Sequence, residues 1–331
     1  MSKPEIVFLD SDTIGNDIAW PDFSIFGNVI LHAATSPEQT AERLARAEIV
    51  LTNKVAITKE HITAAKKLRY IGSLATGYNH VNVAAAAAHG IPVSNVPGYS
   101  GPSVMQHVFS LLLALTSRIC GLNDSVRNGG WTTSPFSAGW FQPIMELKGK
   151  TMGIVGFGDI GRQVGKTAHV FGMKVIASTP RPKPLPPYDP FNFVSFEELL
   201  KQADVISLHC PLTPENEGMI NARALGMMKK STYLINTARG QLVNEEDLSL
   251  ALRRGAIAGA GLDVVSEEPI AETNPLLRTP HCIITPHIAW AGREAKQRLM
   301  QGVYDNLKNF MHGRPSNITN GISSENECGL Q

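Results

Sequence analysis

Short apolar runs alternate with helix-like or turn-rich stretches along most of the chain. In the first third, five runs have the length and content of buried strands: 6–9, 29–32, 49–51, 70–74 and 91–94. Six more follow after residue 150: 152–155, 174–177, 205–208, 233–235, 258–262 and 283–285. Because strands that alternate with helices form parallel sheets, the pattern predicts two α/β units, the second with a doubly wound sheet.

Two stretches with apolar residues at helical spacing connect these units. Residues 103–127 follow the breaker-rich segment 97–102 and predict one long helix that passes from the first unit to the second. Residues 293–310 predict another long helix, which returns the chain to the first unit. We therefore expect a discontinuous first domain, 1–102 and 290–331, and a second domain, 103–289. The polar residues 317–331 are expected to form a loose tail.

Length, charge and cysteine content narrow the class of protein. A chain of 331 residues suggests about two domains, and its net charge of +1 comes without a basic stripe, which argues against a nucleic-acid partner. No apolar run reaches the length of a membrane span and no signal-peptide core precedes the first strand, so we expect a cytoplasmic protein without a membrane partner. The four cysteines are far apart, and none belongs to a Cys-x-x-Cys pair, so we expect no metal site and no disulfide framework.

The first strand after residue 150 leads directly into a glycine-rich turn. Gly156, Gly158 and Gly161 stand between this apolar run and an amphipathic pattern over 160–171. In a dinucleotide site, the first glycine permits the tight turn, the second lets the backbone approach the pyrophosphate, and the third lets the helix pack close to the strand. A plain strand-to-helix turn is the alternative, but the flanking pattern favours dinucleotide binding.

An aromatic-rich loop, 134–143, precedes this unit. It contains Phe136, Trp140 and Phe141, and Trp131 lies just before it. These side chains fit either an ordinary core or a contact between subunits. We therefore expect a homodimer.

Five short motifs follow one another between residues 156 and 289. They are the glycine turn 156–161, His209-Cys210-Pro211-Leu212-Thr213, Asn236-Thr237-Ala238-Arg239-Gly240, Gly261-Leu262-Asp263-Val264 with Glu268-Pro269, and Thr285-Pro286-His287-Ile288-Ala289. Their types and order resemble the D-isomer-specific 2-hydroxyacid dehydrogenase family, and the resemblance covers almost the whole chain. The segments 51–54, 74–79 and 286–290 resemble most the glycerate dehydrogenases that also reduce hydroxypyruvate.

The resemblance implies a Rossmann coenzyme domain and a discontinuous flavodoxin-like α/β substrate domain. It implies an NAD(P)-dependent oxidoreductase that interconverts a small 2-keto acid, here hydroxypyruvate or glyoxylate, and its D-2-hydroxy acid. Two alternatives stay open. One is a dinucleotide sensor like the C-terminal-binding-protein co-repressors, although long interaction extensions are missing; the other is a dehydrogenase of another small donor, such as formate or phosphite.

Three residues carry the chemistry that the resemblance implies. Arg239 is the candidate cation for the carboxylate and keto oxygen of the substrate, because a guanidinium stays charged and binds oxygen atoms through a fork of donors. His287 is the candidate general acid and base. Glu268 is expected to bind the other ring nitrogen of His287 and to fix its tautomer. A surface arginine, a loop histidine and a glutamate that ends a turn are the structural alternatives.

Other residues are expected to hold the substrate and the coenzyme. The turn Ala75-Thr76-Gly77 can present amide donors to the substrate carboxylate, and Lys54 can add a positive charge. Asp263 is expected to accept a hydrogen bond from the nicotinamide carboxamide, with a helix N-cap as its alternative role. The remaining expected coenzyme contacts are Gly156, Gly158, Asp159, Ile160, Gly161, Ser178, Thr179, Arg181, His209, Cys210, Pro211, Thr213, Thr237, Ala238 and Ala289.

The choice of coenzyme depends on the residues after the second strand of this unit. A carboxylate that binds the ribose diol usually stands about 20 residues after the glycines. Thr179 occupies this region, and Arg181 and Lys183 follow it. The two cations can pair with a 2′-phosphate while Ser178 and Thr179 donate hydroxyl hydrogen bonds, so the sequence favours NADP over NAD. In the alternative, Arg181 points into solvent and NAD binds without the carboxylate.

Overall fold

The chain divides into two compact units. Unit 1 comprises Met1–Ser100 and Ala291–Gln331, and unit 2 comprises Gly101–Trp290. The structure is a computed structural model that describes residues 3–133, 143–181 and 183–322. The predicted aromatic loop lies almost wholly outside these residues; Trp131, which precedes it, is 52% exposed.

The described residues form strands and helices that we number in chain order. The strands are β1 (Glu5–Phe8), β2 (Asn28–Leu31), β3 (Ile49–Thr52), β4 (Tyr70–Ser73), β5 (Val93–Ser94), β6 (Thr151–Val155), β7 (Lys174–Ser178), β8 (Phe191–Phe193), β9 (Val205–Leu208), β10 (Tyr233–Asn236), β11 (Gly259–Leu262) and β12 (Cys282–Ile284). The helices are α1 (Pro37–Leu44), α2 (Lys59–Ala64), α3 (Val83–Ala88), α4 (Gly101–Thr116), α5 (Ile119–Arg127), α6 (Asp159–Val170), α7 (Phe196–Gln202), α8 (Ala222–Met227), α9 (Glu245–Arg253) and α10 (Arg293–Met311).

Unit 1 contains a parallel sheet in the order β2-β1-β3-β4-β5. Strands β3 and β4 are buried along their whole length, which explains why they read as uninterrupted apolar runs in the sequence. Apolar residues of α2 and α3, among them Ile62 and Ala86, pack with Val7, Val50 and Ile71 of the sheet in one core. The order 2-1-3-4-5 is that of flavodoxin-like folds.

Unit 2 contains a parallel sheet in the order β12-β11-β10-β9-β6-β7-β8. The strand order reverses between β6 and β9, and ligands of such sheets bind outside the carboxyl ends of the strands at this switch point. The sheet confirms the predicted fold class. Strand β8 was not predicted, because only Phe191 of its three residues is buried and the run is too short to show a pattern.

The predicted long helix over 103–127 is two helices instead. Helices α4 and α5 meet at an angle of 55°, and Arg118 between them has a left-handed backbone with φ of 53°. This conformation ends α4, because a left-handed residue cannot continue a right-handed helix. Among the described residues, no single helix is long and apolar enough to cross a membrane, whereas the bent pair α4 and α5 meets the length and composition criteria together.

The expectation of a loose tail is wrong for residues 317–320. Ile318 forms an antiparallel bridge with Ser94, and the amide of Thr319 donates to the carbonyl of Val93 at 2.8 Å. The side chain of Asn320 donates to the carbonyl of Ile91 at 2.8 Å. These polar residues therefore extend the β5 edge of the unit 1 sheet, a pairing that their composition does not reveal.

Candidate active site

The glycine turn between β6 and α6 has the geometry that its three glycines permit. Gly156 has φ of 93°, and a Cβ at this position would lie 2.6 Å from the amide nitrogen of Cys210. A Cβ at Gly161 would overlap the carbonyl oxygen of Gly156. At Gly158, which begins α6 without a side-chain cap, a Cβ would meet no atom within 4 Å. The turn is therefore tightly packed at Gly156 and Gly161 and leaves open space at Gly158, at the N-terminus of α6, where Asp159 and Ile160 begin the helix. This shape fits a pyrophosphate.

The end of β7 lies beside this turn. The amide of Gly156 donates to the carbonyl of Ser178 at 2.9 Å, and Thr179 follows directly. Arg181 is exposed. No carboxylate occurs between Ser178 and Asp189 in the sequence. The edge next to the glycine turn is therefore neutral to cationic.

The residues at the end of β9 contact the strand that leads into the glycine turn. The amide of His209 donates to the carbonyl of Val155 at 2.7 Å, and its Nε2 lies 2.8 Å from Oγ of Ser207. Burial lowers the pKa of His209 to about 3, so the ring is neutral near pH 7. Burial also raises the pKa of the Cys210 thiol. Both side chains are therefore uncharged and unsuited to acid–base work at neutral pH.

The segment after Cys210 is held as a turn. Pro211 accepts a hydrogen bond from Nδ2 of Asn216 at 2.8 Å through its carbonyl, and the amide of Thr213 donates to Oδ1 of Asn216 at 2.8 Å. Asn216 was not predicted from the sequence as a site residue. Its side chain fixes the backbone of the expected coenzyme contacts 210–213 at the strand end.

The turn after β10 carries Arg239 and is held by Asn236. The Asn236 side chain is fully buried; its Nδ2 donates to the carbonyl of Arg239 at 2.8 Å, and its Oδ1 accepts from the amide of Ala238 at 3.0 Å. Nη1 of Arg239 donates to the carbonyl of Ala238 at 2.7 Å. Asn236 was quoted only as part of a motif, and its contacts show that it fixes the backbone of the Arg239 turn.

Thr237 carries a buried hydroxyl directly after β10. Its Oγ1 has no hydrogen-bond partner among the described residues. A buried polar group without a partner is costly, and in native structures it often marks the place of an unseen ligand or water. This hydroxyl follows β10, two strands from the glycine turn of β6, so its position also fits a bound dinucleotide.

His287 and Glu268, which follow strands β12 and β11, are in direct contact. Nδ1 of His287 lies 2.6 Å from Oε2 of Glu268, and the two side chains are 28% and 33% exposed. Strands β10, β11 and β12 are neighbours, so Arg239, Glu268 and His287 follow three adjacent strand ends. The structure thus pairs His287 with Glu268 and places Arg239 after the neighbouring strand.

His287 has a left-handed backbone, with φ of 54°. Such a conformation costs a residue with a Cβ about 1–2 kcal/mol, so neighbouring bonds must hold it. The amide of His287 donates to the carbonyl of Asp263 at 2.8 Å, and Nε1 of Trp290 donates to the carbonyl of His287 at 2.9 Å. The histidine that the sequence singled out therefore stands on a constrained backbone.

Asp263 is only 1% exposed, and several hydrogen bonds hold its carboxylate. Its Oδ1 accepts from the Thr285 hydroxyl at 2.6 Å and from the amide of Ile288 at 2.9 Å, while its Oδ2 accepts from the amide of Ala289 at 2.8 Å. Nε2 of His107 lies 3.4 Å from Oδ1. Burial raises the pKa of Asp263, but these hydrogen bonds outweigh it and hold the pKa below the usual value.

The alternative role of Asp263 as a helix N-cap is excluded. The next helical segment begins at Pro275 and is capped by Asn274. Asp263 instead fixes the loop that contains His287. This function was not predicted, because its partners are about 25 residues away along the chain or, in His107, on α4.

The predicted substrate residues of unit 1 follow its adjacent strands β3 and β4. The turn 75–77 is held by four hydrogen bonds. Oγ of Ser73 donates to the carbonyl of Gly77 at 2.9 Å, and Oγ1 of Thr76 donates to the carbonyl of Val96 at 2.9 Å. The amide of Val96 donates to the carbonyl of Ala75 at 3.0 Å, and Nδ2 of Asn95 donates to the carbonyl of Thr76 at 2.7 Å.

Lys54 is held through a residue that the sequence analysis did not single out. The buried carboxylate of Asp10 accepts from the amide of Asn53 at 3.0 Å and from the amide of Lys54 at 2.6 Å. Asp10 follows β1, the neighbour of β3 in the sheet. A carboxylate that receives two backbone amides fixes the start of the Lys54 loop.

No cluster of three or more His, Cys, Asp and Glu side chains that could hold a metal ion occurs within 3–133, 143–181 and 183–322. A cavity of about 250 Å³ in unit 2 lies at the other edge of the sheet, because its lining residues Tyr233 and Cys282 begin β10 and β12. The chemistry-bearing residues of unit 2 are instead gathered at the carboxyl edge.

Comparison with known proteins gives one consistent family. The model of the D-isomer specific 2-hydroxyacid dehydrogenase NAD-binding domain matches residues 109–289. A hydroxypyruvate reductase of Blautia hydrogenotrophica is 42% identical over 320 residues, which cover 96% of this chain and 99% of the relative. A glycerate dehydrogenase of Methylorubrum extorquens is 40% identical over 317 residues, covering 95% and 98%.

A solved structure of the acyclic imino acid reductase Bsp5, in complex with NADPH and D-Arg, is also similar. It has a TM-score of 0.82 at 30% sequence identity, and the match covers 95% of this chain and 99% of that chain. With the family model and the two sequence relatives, this likeness extends over both units. The chain belongs to the D-isomer-specific 2-hydroxyacid dehydrogenases and is an NAD(P)-dependent oxidoreductase.

Proposed function

We propose that the protein reduces a small 2-keto acid, hydroxypyruvate or glyoxylate, to its D-2-hydroxy acid with NAD(P)H. The observation that carries this proposal is the 2.6 Å contact between His287 and Glu268, with Arg239 after the adjacent strand. The names of the two sequence relatives, hydroxypyruvate reductase and glycerate dehydrogenase, support the substrate class.

His287 supplies the proton in this proposal. A carboxylate only accepts hydrogen bonds, so Nδ1, which faces Glu268, carries a proton and Nε2 is the nitrogen that exchanges one. During reduction, the imidazolium donates from Nε2 to the oxygen on C2 of the substrate, where negative charge develops. Glu268 keeps the ring in the required tautomer and stabilises the charged form. In the reverse direction, the neutral ring takes the proton back.

Arg239 binds the substrate carboxylate and polarises the keto oxygen. Its Nη1 already donates to the carbonyl of Ala238, which anchors the guanidinium and leaves further N–H groups for the substrate. In unit 1, the amides of the turn 75–77 and the charge of Lys54 suit the binding of a carboxylate. We therefore assign substrate binding to unit 1 and coenzyme binding to unit 2, with boundaries near residues 102 and 290.

The residues around the glycine turn hold the coenzyme, which supplies the hydride for C2. Gly158, Asp159 and Ile160 offer backbone amides to the pyrophosphate, and the unpartnered hydroxyl of Thr237 is available to the dinucleotide. Asp263 keeps one acceptor position on Oδ2, which suits the nicotinamide carboxamide. His209, Cys210, Pro211, Thr213, Ala238 and Ala289 complete the proposed set.

NADPH is the preferred coenzyme in this proposal. The β7 end beside the glycine turn has hydroxyl groups on Ser178 and Thr179 and no carboxylate that would repel a 2′-phosphate. Arg181 is exposed and follows two residues later, so it can pair with the phosphate.

We also propose a homodimer in the cytoplasm. Helix α5 exposes Ile119 and Val126 at 57% and 41%, and Trp131 follows at 52%, a group of apolar side chains of the kind that subunit contacts bury. Sedimentation equilibrium of the full chain tests the assembly state, and an Ile119→Glu variant should sediment as a monomer. A wild-type monomer at micromolar concentration would contradict the dimer.

Initial rates of NADPH and NADH oxidation with hydroxypyruvate, glyoxylate and pyruvate test the proposed function. We expect the highest kcat/KM with hydroxypyruvate or glyoxylate and NADPH. Turnover of pyruvate alone would contradict the substrate assignment, and faster turnover with NADH would contradict the coenzyme assignment. Tight NADPH binding without turnover of any of these acids would favour the sensor alternative or another small donor.

A further inference from the structure

We propose that Thr285 and His107 are positioning residues for His287, and that they act through Asp263. The inference rests on the proposed function, in which His287 exchanges the proton. It assigns a role in the reaction to Thr285, which lies in the fifth motif without an assigned function, and to His107, which belongs to none of the five motifs.

A chain of hydrogen bonds leads from helix α4 to the His287 loop. Nε2 of His107 lies 2.9 Å from Oγ1 of Thr285, and Oγ1 of Thr285 lies 2.6 Å from Oδ1 of Asp263. His107 and Thr285 are separated by 178 positions in the sequence. The contact therefore links the buried helix α4 to the segment that follows β12.

The direction of these bonds follows from the donors available. The carboxylate of Asp263 accepts only, so the single hydroxyl proton of Thr285 points to Asp263. Nε2 of His107 must then carry a proton and donate to Oγ1 of Thr285. His107 thus donates to Thr285 and Thr285 donates to Asp263, so both bonds point the same way. Hydrogen bonds arranged in this way strengthen one another.

Asp263 connects this chain of hydrogen bonds to the backbone of His287 and of the two residues that follow it. Its carbonyl accepts the amide of His287 at 2.8 Å, and its carboxylate accepts the amides of Ile288 and Ala289. The amide of His287 also lies 3.0 Å from the carbonyl of Thr285, and Nε1 of Trp290 donates to the carbonyl of His287, so Asp263 supplies part of the bonding that holds this left-handed backbone. The Thr285 hydroxyl fixes the orientation of the Asp263 carboxylate. This orientation allows the carboxylate to accept the amides of Ile288 and Ala289.

Loss of the Thr285 hydroxyl removes one of the bonds that orient the Asp263 carboxylate and so loosens the His287 backbone. A proton donor that is displaced by a fraction of an ångström loses rate, whereas Arg239 has its own support from Asn236. The substitution should therefore act on kcat and leave the KM for the keto acid almost unchanged.

The test is steady-state kinetics of Thr285→Val and Thr285→Ser with hydroxypyruvate and NADPH. Valine keeps the shape and removes the hydroxyl, so we expect kcat to fall about tenfold, with the KM for the keto acid within about twofold of wild type. Serine keeps the hydroxyl and should recover most of the lost kcat. A Thr285→Val enzyme with wild-type kcat would overturn the inference, and so would equal losses in both variants.

Thr279→Val is the matched control. The Thr279 hydroxyl is also buried in unit 2 and makes two hydrogen bonds, with Ser249 at 2.7 Å and the carbonyl of Pro275 at 2.8 Å. Its loss should lower the Tm without changing kcat. An equal fall of kcat in this control would overturn the inference, because the Thr285 effect would then be general destabilisation.

Variants of His107 provide a second test of the same inference. His107→Leu removes the donor and His107→Gln retains one, so leucine should lower kcat and glutamine should recover part of it. This pair decides the question if Thr285→Val does not fold. Equal kcat in the leucine variant and wild type would then overturn the proposal.

A double-mutant cycle separates this inference from the proposed function. If Thr285 acts through His287, Thr285→Val should have no further effect on residual turnover in a His287→Ala background. A further tenfold loss in that background would overturn the inference. Full activity of His287→Ala alone would overturn the proposed function instead, whereas an inactive His287→Ala with a fully active Thr285→Val would overturn only the present inference.

Discussion

Nδ1 of His287 and Oε2 of Glu268 lie 2.6 Å apart, although 19 positions separate the two residues in the chain. Glu268 follows β11 and His287 follows β12, two neighbouring strands of the unit 2 sheet. Because Nδ1 faces Glu268, Nε2 is the nitrogen that exchanges a proton with the substrate in the proposed reaction.

Replacement of His287 by alanine should lower kcat about 10²- to 10⁴-fold, the contribution of a positioned general acid. The Kd for NADPH, measured by fluorescence, should stay nearly unchanged. His281→Ala is the control, because this exposed histidine of unit 2 also has a left-handed backbone, with φ of 58°. Turnover at the wild-type rate in His287→Ala would remove it as the proton donor.

Glu268→Gln should lower kcat by about 10- to 100-fold, a part of the factor that general acid–base catalysis supplies. The amide retains the size of the side chain but removes the charge that stabilises the imidazolium. Steady-state kinetics with hydroxypyruvate measures the effect, with Glu267→Gln as the control at the preceding glutamate. A loss that is equal in both variants would contradict the pairing as the cause.

Asn236→Ala should raise the KM for the keto acid and lower the free energy of unfolding by about 1–3 kcal/mol, because the amide of Ala238 and the carbonyl of Arg239 lose their buried partner. The Arg239 turn then moves, and the substrate carboxylate loses its cation. Urea unfolding and kinetics on the same preparation measure both effects. Unchanged KM with reduced stability would limit Asn236 to a structural role.

Arg181→Ala should weaken NADPH binding about tenfold and leave NADH binding almost unchanged, because only NADPH carries the 2′-phosphate. Titration of both coenzymes by fluorescence measures the two Kd values. The control is Arg254→Ala, which removes another exposed arginine of unit 2 at the end of α9. Equal losses for the two coenzymes would contradict the phosphate contact.

His209 should make the protein less stable in acid. Burial lowers the pKa of its ring to about 3 in the folded state, whereas the unfolded chain takes up the proton near the ordinary value of 6.5. The unfolded state therefore binds more protons between these values, and stability falls as pH decreases through this window, by about 2 kcal/mol at pH 5.

Urea unfolding between pH 7 and pH 5 measures this loss. His209→Gln cannot take up the proton and should show a smaller decrease over the same range. His312→Gln, at an exposed histidine after α10, should behave as wild type. The same decrease in His209→Gln and wild type would exclude His209 as the source.

The sequence predicts the strands of both sheets well, because parallel strands that are buried on both faces form uninterrupted apolar runs. Arg239, Glu268 and His287 are indicated by motifs that resemble the family, and all three follow adjacent strands of the unit 2 sheet. The features that the sequence does not reveal depend on contacts between distant positions. The break at Arg118, the pairing of Ile318 with Ser94 and the bond between His107 and Thr285 each arise from tertiary structure that no local pattern encodes.

The pairing of Ile318 with Ser94 also bears on the order in which the protein is made. Unit 2 is continuous and has all of its residues once position 290 has left the ribosome. Unit 1 cannot add α10 or the strand-like segment at Ile318 until the final part of the chain follows. Because domains form as whole units, the coenzyme-binding half of the nascent protein is complete first, and a message truncated shortly after codon 290 yields a protein that lacks an intact first unit.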